Sequence, residues 1–236
     1  MTLNLKAVGV TATNPIRYIK RVNPPVPLAS FLFLSDSLEH AVRNVVTGGE
    51  DATVVGAPSV DVAATFTDGN YIDTGIQESA DMTLIGVVQR NNAQVMFMGS
   101  DLNGDANFIR LYTNGSSPRK PVFSSKWSAS AGVAVSADAG WPVSPLEYEV
   151  VFGIVNTSTG KNILYIPRIG ELIEAACTGS RTPSDRSIIL GPGPSPQSIY
   201  SGDTVRFKAA GVAQSALTVE QCDTLYEWIR KRVPGV

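Results

Sequence analysis

The sequence predicts an all-β fold: a two-sheet antiparallel sandwich with a C-terminal α-helix and an extended N-terminal arm. Three observations carry this expectation. From residue 52 onward the chain consists of short runs rich in Val, Ile and Thr, separated by Gly, Pro or Asp. Glycine and proline number 21 and 15 among 236 residues, which implies many turns. A single long helical pattern stands at the end. With 43% hydrophobic and 17% charged residues there is apolar material for a sizeable core. Sandwiches of more than about 200 residues commonly form one unit, so a single domain is expected over 31–236, behind an arm and Pro-rich linker over 1–30.

The arm, "MTLNLKAVGVTATNPIRYIKRVNPPVPLAS", carries Arg17, Tyr18, Lys20 and Arg21, then Asn23-Pro24-Pro25-Val26-Pro27. Closely spaced prolines lack amide donors and hold an extended path, so a semi-rigid connector is expected. Such an arm can add a strand to a neighbouring subunit, or fold back as an edge strand on its own domain. In "SDSLEHAVRNVVTGG" Asp36 and Glu39 resemble a capping box and Leu38, Val42 and Val45 form a helical stripe, predicting a short helix near 36–46.

Strands follow in "ATVVGAP", "VDVAATF", "YIDTG" and "MTLIGVVQ". Between the second and third, Asp68-Gly69-Asn70 tolerates positive φ and predicts a tight reversal. "VMFMGSDLNGDANFIRLYT" predicts a hairpin about Asn103-Gly104, and "YEVVFGIVNTSTGKNILYI" one about Ser158-Thr159-Gly160. In the latter, Tyr148, Val150, Phe152 and Ile154 alternate onto one face, with Glu147 and Glu149 on the other. "ILGPGPSPQSIY" holds glycines, but its prolines remove the amides that a phosphate-cradling loop needs, so it predicts a rigid surface loop. The terminal helix is expected over 218–232: Thr218 and Gln221 make a capping box, and Val219, Cys222, Leu225, Ile229 and Val233 form the stripe. Arg230, Lys231 and Arg232 complement the negative end of the helix dipole, and Pro234 stops it.

A formal net charge of −2 offers no basic footprint for phosphate neutralisation, so nucleic acid is not an expected partner. No run of about 18 apolar residues is present, and the N-terminus lacks the pattern of a secretion signal, so neither membrane insertion nor export is expected. Cys177 and Cys222 have no metal-ligand spacing and are expected as small core residues, kept as thiols.

The succession "ATFTDGNYIDTG", "MTLIGVVQ", "LEYEVVFGIVNTSTGKNILYI", "SIILG" and "SGDTVRFKAAGVAQSALTVEQCDTLYEWIR" resembles the concanavalin A-like lectin/glucanase sandwiches. The similarity is to the laminin-G-like jelly rolls of bacteriophage tail and other virion proteins. Most specific is the last piece, where a late strand near Gly202-Asp203 leads into Ala216-Leu217-Thr218, Glu220, Leu225-Tyr226 and Trp228. The resemblance covers about residues 50 to 232 and implies a jelly roll. It also implies a non-enzymatic adhesion protein of a phage or prophage virion, contacting a host surface glycan or protein receptor from a tail fibre or tail tip. Capsid decoration and polysaccharide depolymerisation are the alternatives. The implied setting is a virion assembled in the bacterial cytoplasm, with the arm meeting other virion proteins and a homo-oligomer, such as a trimer, as the assembly.

Glycoside hydrolysis needs two carboxyl groups flanking the scissile bond, which points to Glu147 and Glu149. The glucanases of the family carry E-x-D-x-E, however, and Val151 occupies the last of those places. The single histidine, His40, stands in the predicted short helix without a G-x-S-x-G elbow, so no enzyme is expected. Asp101, Asn103, Asp105 and Asn107 alternate as calcium ligands often do, but Ala106 and Tyr112 depart from the EF-hand loop and the turn chemistry of Asn103-Gly104 accounts for the residues without a metal, so no cofactor or metal is expected. Trp127 and Trp141, in Gly- and Ser-rich sequence, are the candidates for stacking on a sugar, or else inward loop anchors. Trp228 is expected to pack the helix onto the sandwich.

Overall fold

The structure, a computed structural model, describes residues 23–89, 94–100, 107–115, 119–128, 130–137, 148–193 and 204–236. Among these residues the strands are β1 (Ser30–Phe33), β2 (Thr53–Val55), β3 (Ser59–Val60), β4 (Ala64–Phe66), β5 (Tyr71–Gln77) and β6 (Met82–Gln89). There follow β7 (Met96–Gly99), β8 (Ile109–Thr113), β9 (Pro121–Trp127), β10 (Ser130–Ser136) and β11 (Tyr148–Asn156). The last are β12 (Lys161–Ile166), β13 (Glu171–Ala176), β14 (Ser187–Leu190) and β15 (Val205–Ala213). Helices are α1 (Leu38–Ala41) and α2 (Val219–Arg230).

The strands build two antiparallel sheets. One runs β13-β12-β11-β6-β15-β4-β3 with β1 also on β15, and the other runs β10-β9-β8-β7-β14-β5-β2. Their facing sides enclose the main core, in which Leu84, Val151, Phe207, Phe97, Leu111 and Phe123 are buried. A second core lies on the outer face of the first sheet, where Cys222, Leu225 and Ile229 of α2 cover Ile85, Val150, Phe152 and Ala209. The molecule therefore has three layers, and β6 and β11 are buried on both faces. Their near-continuous apolar sequences follow from that double burial.

The two sheets meet closely at Gly153, where a Cβ would stand 2.2 Å from the Phe123 ring. A buried polar bridge ties them as well: Asn162 Oδ1 accepts from Ser125 Oγ at 2.8 Å, and Asn162 Nδ2 donates to the Val133 carbonyl at 2.7 Å. A buried ion pair of Arg181 with Glu78, supported by the carbonyls of Ser79 and Ala80, clamps the segment before β14 to the β5–β6 connection.

The terminal helix forms with its Thr218 capping box, and Trp228 packs edge-on to Phe31 with ring centroids 5.1 Å apart. The β11–β12 hairpin turns through Gly160 at φ +62°, and β7 pairs β8 as expected, although the Asn103-Gly104 turn itself lies outside the described residues.

Four expectations are corrected. The turn at Asp68-Gly69-Asn70 forms, with Asn70 N donating to Thr67 O at 2.9 Å and Gly69 at φ +75°. The strands it joins do not pair: β4 bonds β15 while β5 bonds β14 in the opposite sheet, so the chain crosses between layers. The helix expected near 36–46 is a single turn capped by Ser37, because Asp36 sits at φ +74° and Val42 O and Val45 N bond to Ala52 and Phe31 instead. The Pro-rich stretch, expected as a semi-rigid connector ahead of the domain, is part of it, and from Asn23 the chain follows the fold-back alternative. Val26 is buried in the helix-side core, Asn23 accepts from Thr47 N and Oγ1 at 3.1 and 2.7 Å, and Ala29 N donates to Val212 O. Finally, the alternation read in β11 does not make a polar face opposite Tyr148, Val150, Phe152 and Ile154: Val151 and Val155 enter the main core there, and Glu149 is 1% exposed and pairs with Arg168 at 2.6 Å.

Candidate ligand-binding pocket

A late β-bulge places a set of cations on the outer face of the first sheet. In β15, Val205 and Phe207 enter the main core, so Arg206 between them faces outward. The register against β6 then slips between Phe207 and Ala209, which leaves Lys208 and Ala209 both on the outer side. Ala209 joins the core under α2, while Lys208 turns beyond the helix end.

There the chain leaving α2 and the turn after β1 close a pocket of about 460 Å³. Arg206, Lys208 and Arg232 line it together with Asp36, Tyr148 and Phe33. Its size and mixture of ring, cation and amide are those of a small-molecule site. Gln89 and Ser35 add hydrogen-bonding groups, and Val62, 63% exposed, adds an apolar rim.

The cations are held differently. Lys208 Nζ donates to the Pro234 carbonyl and lies 4.4 Å from the centre of the Tyr148 ring. Arg232 donates to the Trp228 carbonyl at 3.1 Å and stacks its guanidinium 4.4 Å from the Trp228 ring. Arg206 is half-buried, and its buried Nε has no hydrogen-bond partner. Burial pushes the Lys208 ammonium below its ordinary pKa, and the Arg206 guanidinium pushes it the same way. Burial also raises the Tyr148 phenol, against the pull of Arg206.

The sequence candidates fall elsewhere. Trp127 is 2% exposed, and its Nε1 donates to Ser125 Oγ at 3.0 Å, so it is an inward anchor with no ring face for a sugar. Glu149 is engaged by Arg168, and Glu147 lies outside the described residues. So do Trp141, Asp101, Asn103 and Asp105, and the arm residues Arg17, Tyr18, Lys20 and Arg21. His40 donates its backbone N–H to Ser37 Oγ within α1. Among the described residues no group of His, Cys, Asp or Glu is arranged to hold a metal ion. No helix there is long and apolar enough to cross a membrane.

Sequence reasoning missed Arg206 and Lys208. Their signal was the alternation R-x-K in "TVRFKAAG", a polar face on a strand otherwise apolar. Arg232 was noticed as a complement to the helix dipole, but nothing local revealed that the helix end points at β15.

No known family model matches the chain, and no curated protein matches it. Solved structures do. The binding domain of botulinum neurotoxin serotype D superposes with a TM-score of 0.59 at 13% identity, over 85% of this chain and 50% of that one. A botulinum neurotoxin type C structure, described as depending on two ganglioside molecules for cell entry, gives 0.58 at 11% identity, over 85% and 51%. Trypanosoma rangeli sialidase in complex with sialic acid gives 0.57 at 13% identity, over 91% and 36%. The chain thus spans about half the length of the neurotoxin chains and 36% of the sialidase. At such identities the likeness is one of fold: this chain is a jelly-roll-like β-sandwich of the kind found in those proteins.

Proposed function

We propose that the chain is a non-enzymatic recognition module that uses the β15–α2 pocket to hold part of a cell-surface glycan or receptor. The observation that carries this reading is the pocket itself, in which rings, cations and amide groups converge within about 460 Å³. The neighbours supply context, since they include domains described as binding domains and a chain described with sialic acid. A phage virion setting, in a tail fibre or tip, draws on the resemblance of the strand and helix motifs to virion jelly rolls. The Glu149–Arg168 pair favours this reading over a depolymerase, because a carboxylate so engaged and enclosed is poorly placed to attack a sugar.

Fluorescently labelled full chain is expected to bind intact bacterial cells saturably, and to be displaced by soluble polysaccharide from the same cells. Binding to purified capsids with indifference to cells would replace this reading with capsid decoration. Release of reducing ends from the polysaccharide, lost in Glu149→Gln, would replace it with a depolymerase.

A further inference from the structure

The charge pattern of the pocket is uneven in an informative way. Three cations line it against the single carboxylate of Asp36. Two of them are already directed at carbonyl oxygens around the end of α2, Lys208 to Pro234 and Arg232 to Trp228. That end of the helix carries partial negative charge, which offsets part of their field. Arg206 has no such anchor on its buried Nε, and it stands close enough to Lys208 to depress that ammonium. Its Nε–H lacks an acceptor, and a guanidinium is a planar donor fork suited to an oxyanion.

We propose that the pocket takes a carboxylate-bearing saccharide, with Arg206 as the anchor of the carboxylate and Phe33, Gln89 and Ser35 against the sugar body. The inference deepens the recognition reading and rests on its choice of pocket. The single guanidinium fork of Arg206 matches the two oxygens of one carboxylate. After the helix terminus and Asp36 are set against the three cations, about one and a half units of positive charge remain, enough to hold a monoanion, and the phosphate probe below tests the dianionic alternative. The volume suits one or two sugar units, and the exposed Val62 leaves the pocket open to a longer chain at its rim. Asp36 works against the ligand. Its backbone is in the left-handed region at φ +74°, which Asn tolerates as well as Asp, so Asp36→Asn removes the charge without disturbing the turn.

The test is calorimetric titration of the full chain with four probes: methyl β-glucuronoside, its methyl ester, methyl β-glucoside and inorganic phosphate. The uronoside is expected to bind, with the neutral ester and the glucoside weaker by about tenfold or more. Arg206→Gln should lose about tenfold in uronoside affinity, Arg206→Lys should recover part of it, and Asp36→Asn should gain severalfold, about two- to fivefold. Thermal melts of each variant separate lost binding from lost folding. Equal affinity for uronoside and glucoside would overturn the carboxylate inference while leaving the recognition reading intact. Phosphate binding as tightly as the uronoside, or no binding by any probe, would overturn it too. So would a folded Arg206→Gln that binds as well as the parent. Cell binding that persists when all four probes fail would place recognition outside this pocket.

Discussion

Asn162 sits on β12 with its amide fully buried between the sheets, where it accepts from Ser125 Oγ at 2.8 Å and donates to the Val133 carbonyl at 2.7 Å. Replacing it with Ala removes the acceptor of the Ser125 hydroxyl proton and the amide donor to the Val133 carbonyl, and opens a cavity. The expected loss is about 2–4 kcal/mol in a urea titration; a loss under about 0.5 kcal/mol would mean that the bridge contributes little. Two other buried groups make stability depend on pH. Burial, aided by Asp223, pushes the Cys222 thiol up to about 12 from 9.0. Burial, with Asp223 accepting the phenol hydrogen bond at 2.6 Å, pushes Tyr165 up to about 12 from 10.0. Both folded values exceed the unfolded ones, so above pH 9 the unfolded chain releases protons that the folded chain keeps. Their contribution is complete below pH 9 and is lost as the pH climbs towards 12. Urea midpoints measured against pH should fall over this window, and Tyr165→Phe should flatten the part above pH 10. An unchanged slope in that variant would remove Tyr165 from the account. This scale also explains why the site was poorly legible in sequence. Trp127 stands in Ser-rich sequence that looks like a recognition loop, yet Ser125 and Asn162 draw its indole inward. Conversely, Arg206 looks like any outward residue of a strand until the end of α2 is known to lie beside it.

Elements governed by their own residues were the legible ones. The terminal helix has an N-cap, a reciprocal capping box and an apolar stripe within one stretch of chain, and all three form. Thr218→Ala should remove the bond to Gln221 N and lower stability by about 1 kcal/mol, read as a fall of about 2–4 °C in Tm for a chain of this size. No change would show that packing on the sheet, through Leu225 and Ile229, sets the helix start without its cap. The β11–β12 hairpin was likewise local, with Asn156 Oδ1 accepting from Thr159 N at 3.0 Å to shape its turn. What failed were assignments that depend on distant partners. The turn at Gly69 is encoded locally, but whether β4 meets β5 or β15 depends on residues some 140 positions away. The short α1 ends early for the same reason, since Asn44 is needed to accept from Phe31 N and to donate to Ala29 O. The apolar continuity of β6 and β11 was visible as composition, but its cause, a helix covering the outer face of the sheet, belongs to the third layer.

At the scale of the whole molecule the question is what residues 1–22 do, and the packing of the residues that follow decides how to ask it. A truncation at Phe31 would be a poor instrument. It would delete Val26 from the helix-side core, the Ala29 N–H bond to Val212 O, and the Ala29 carbonyl that receives Asn44 Nδ2. Any change in mass would then be confounded with a weakened domain. A chain beginning at Asn23 keeps all of these, including the two bonds from Thr47 to the Asn23 side chain. If the preceding segment assembles the protein by lending a strand to a neighbour, light scattering on a sizing column should give an oligomer, such as a trimer, for the full chain and a monomer for the Asn23 version. Because the domain core is untouched, both should melt within about 2 °C of each other at high dilution, where assembly adds nothing to stability. Equal masses for the two chains would mean that assembly, where it occurs, runs through the sandwich itself. The exposed edge strand β13, with Leu172 43% exposed, would then be the surface to alter next.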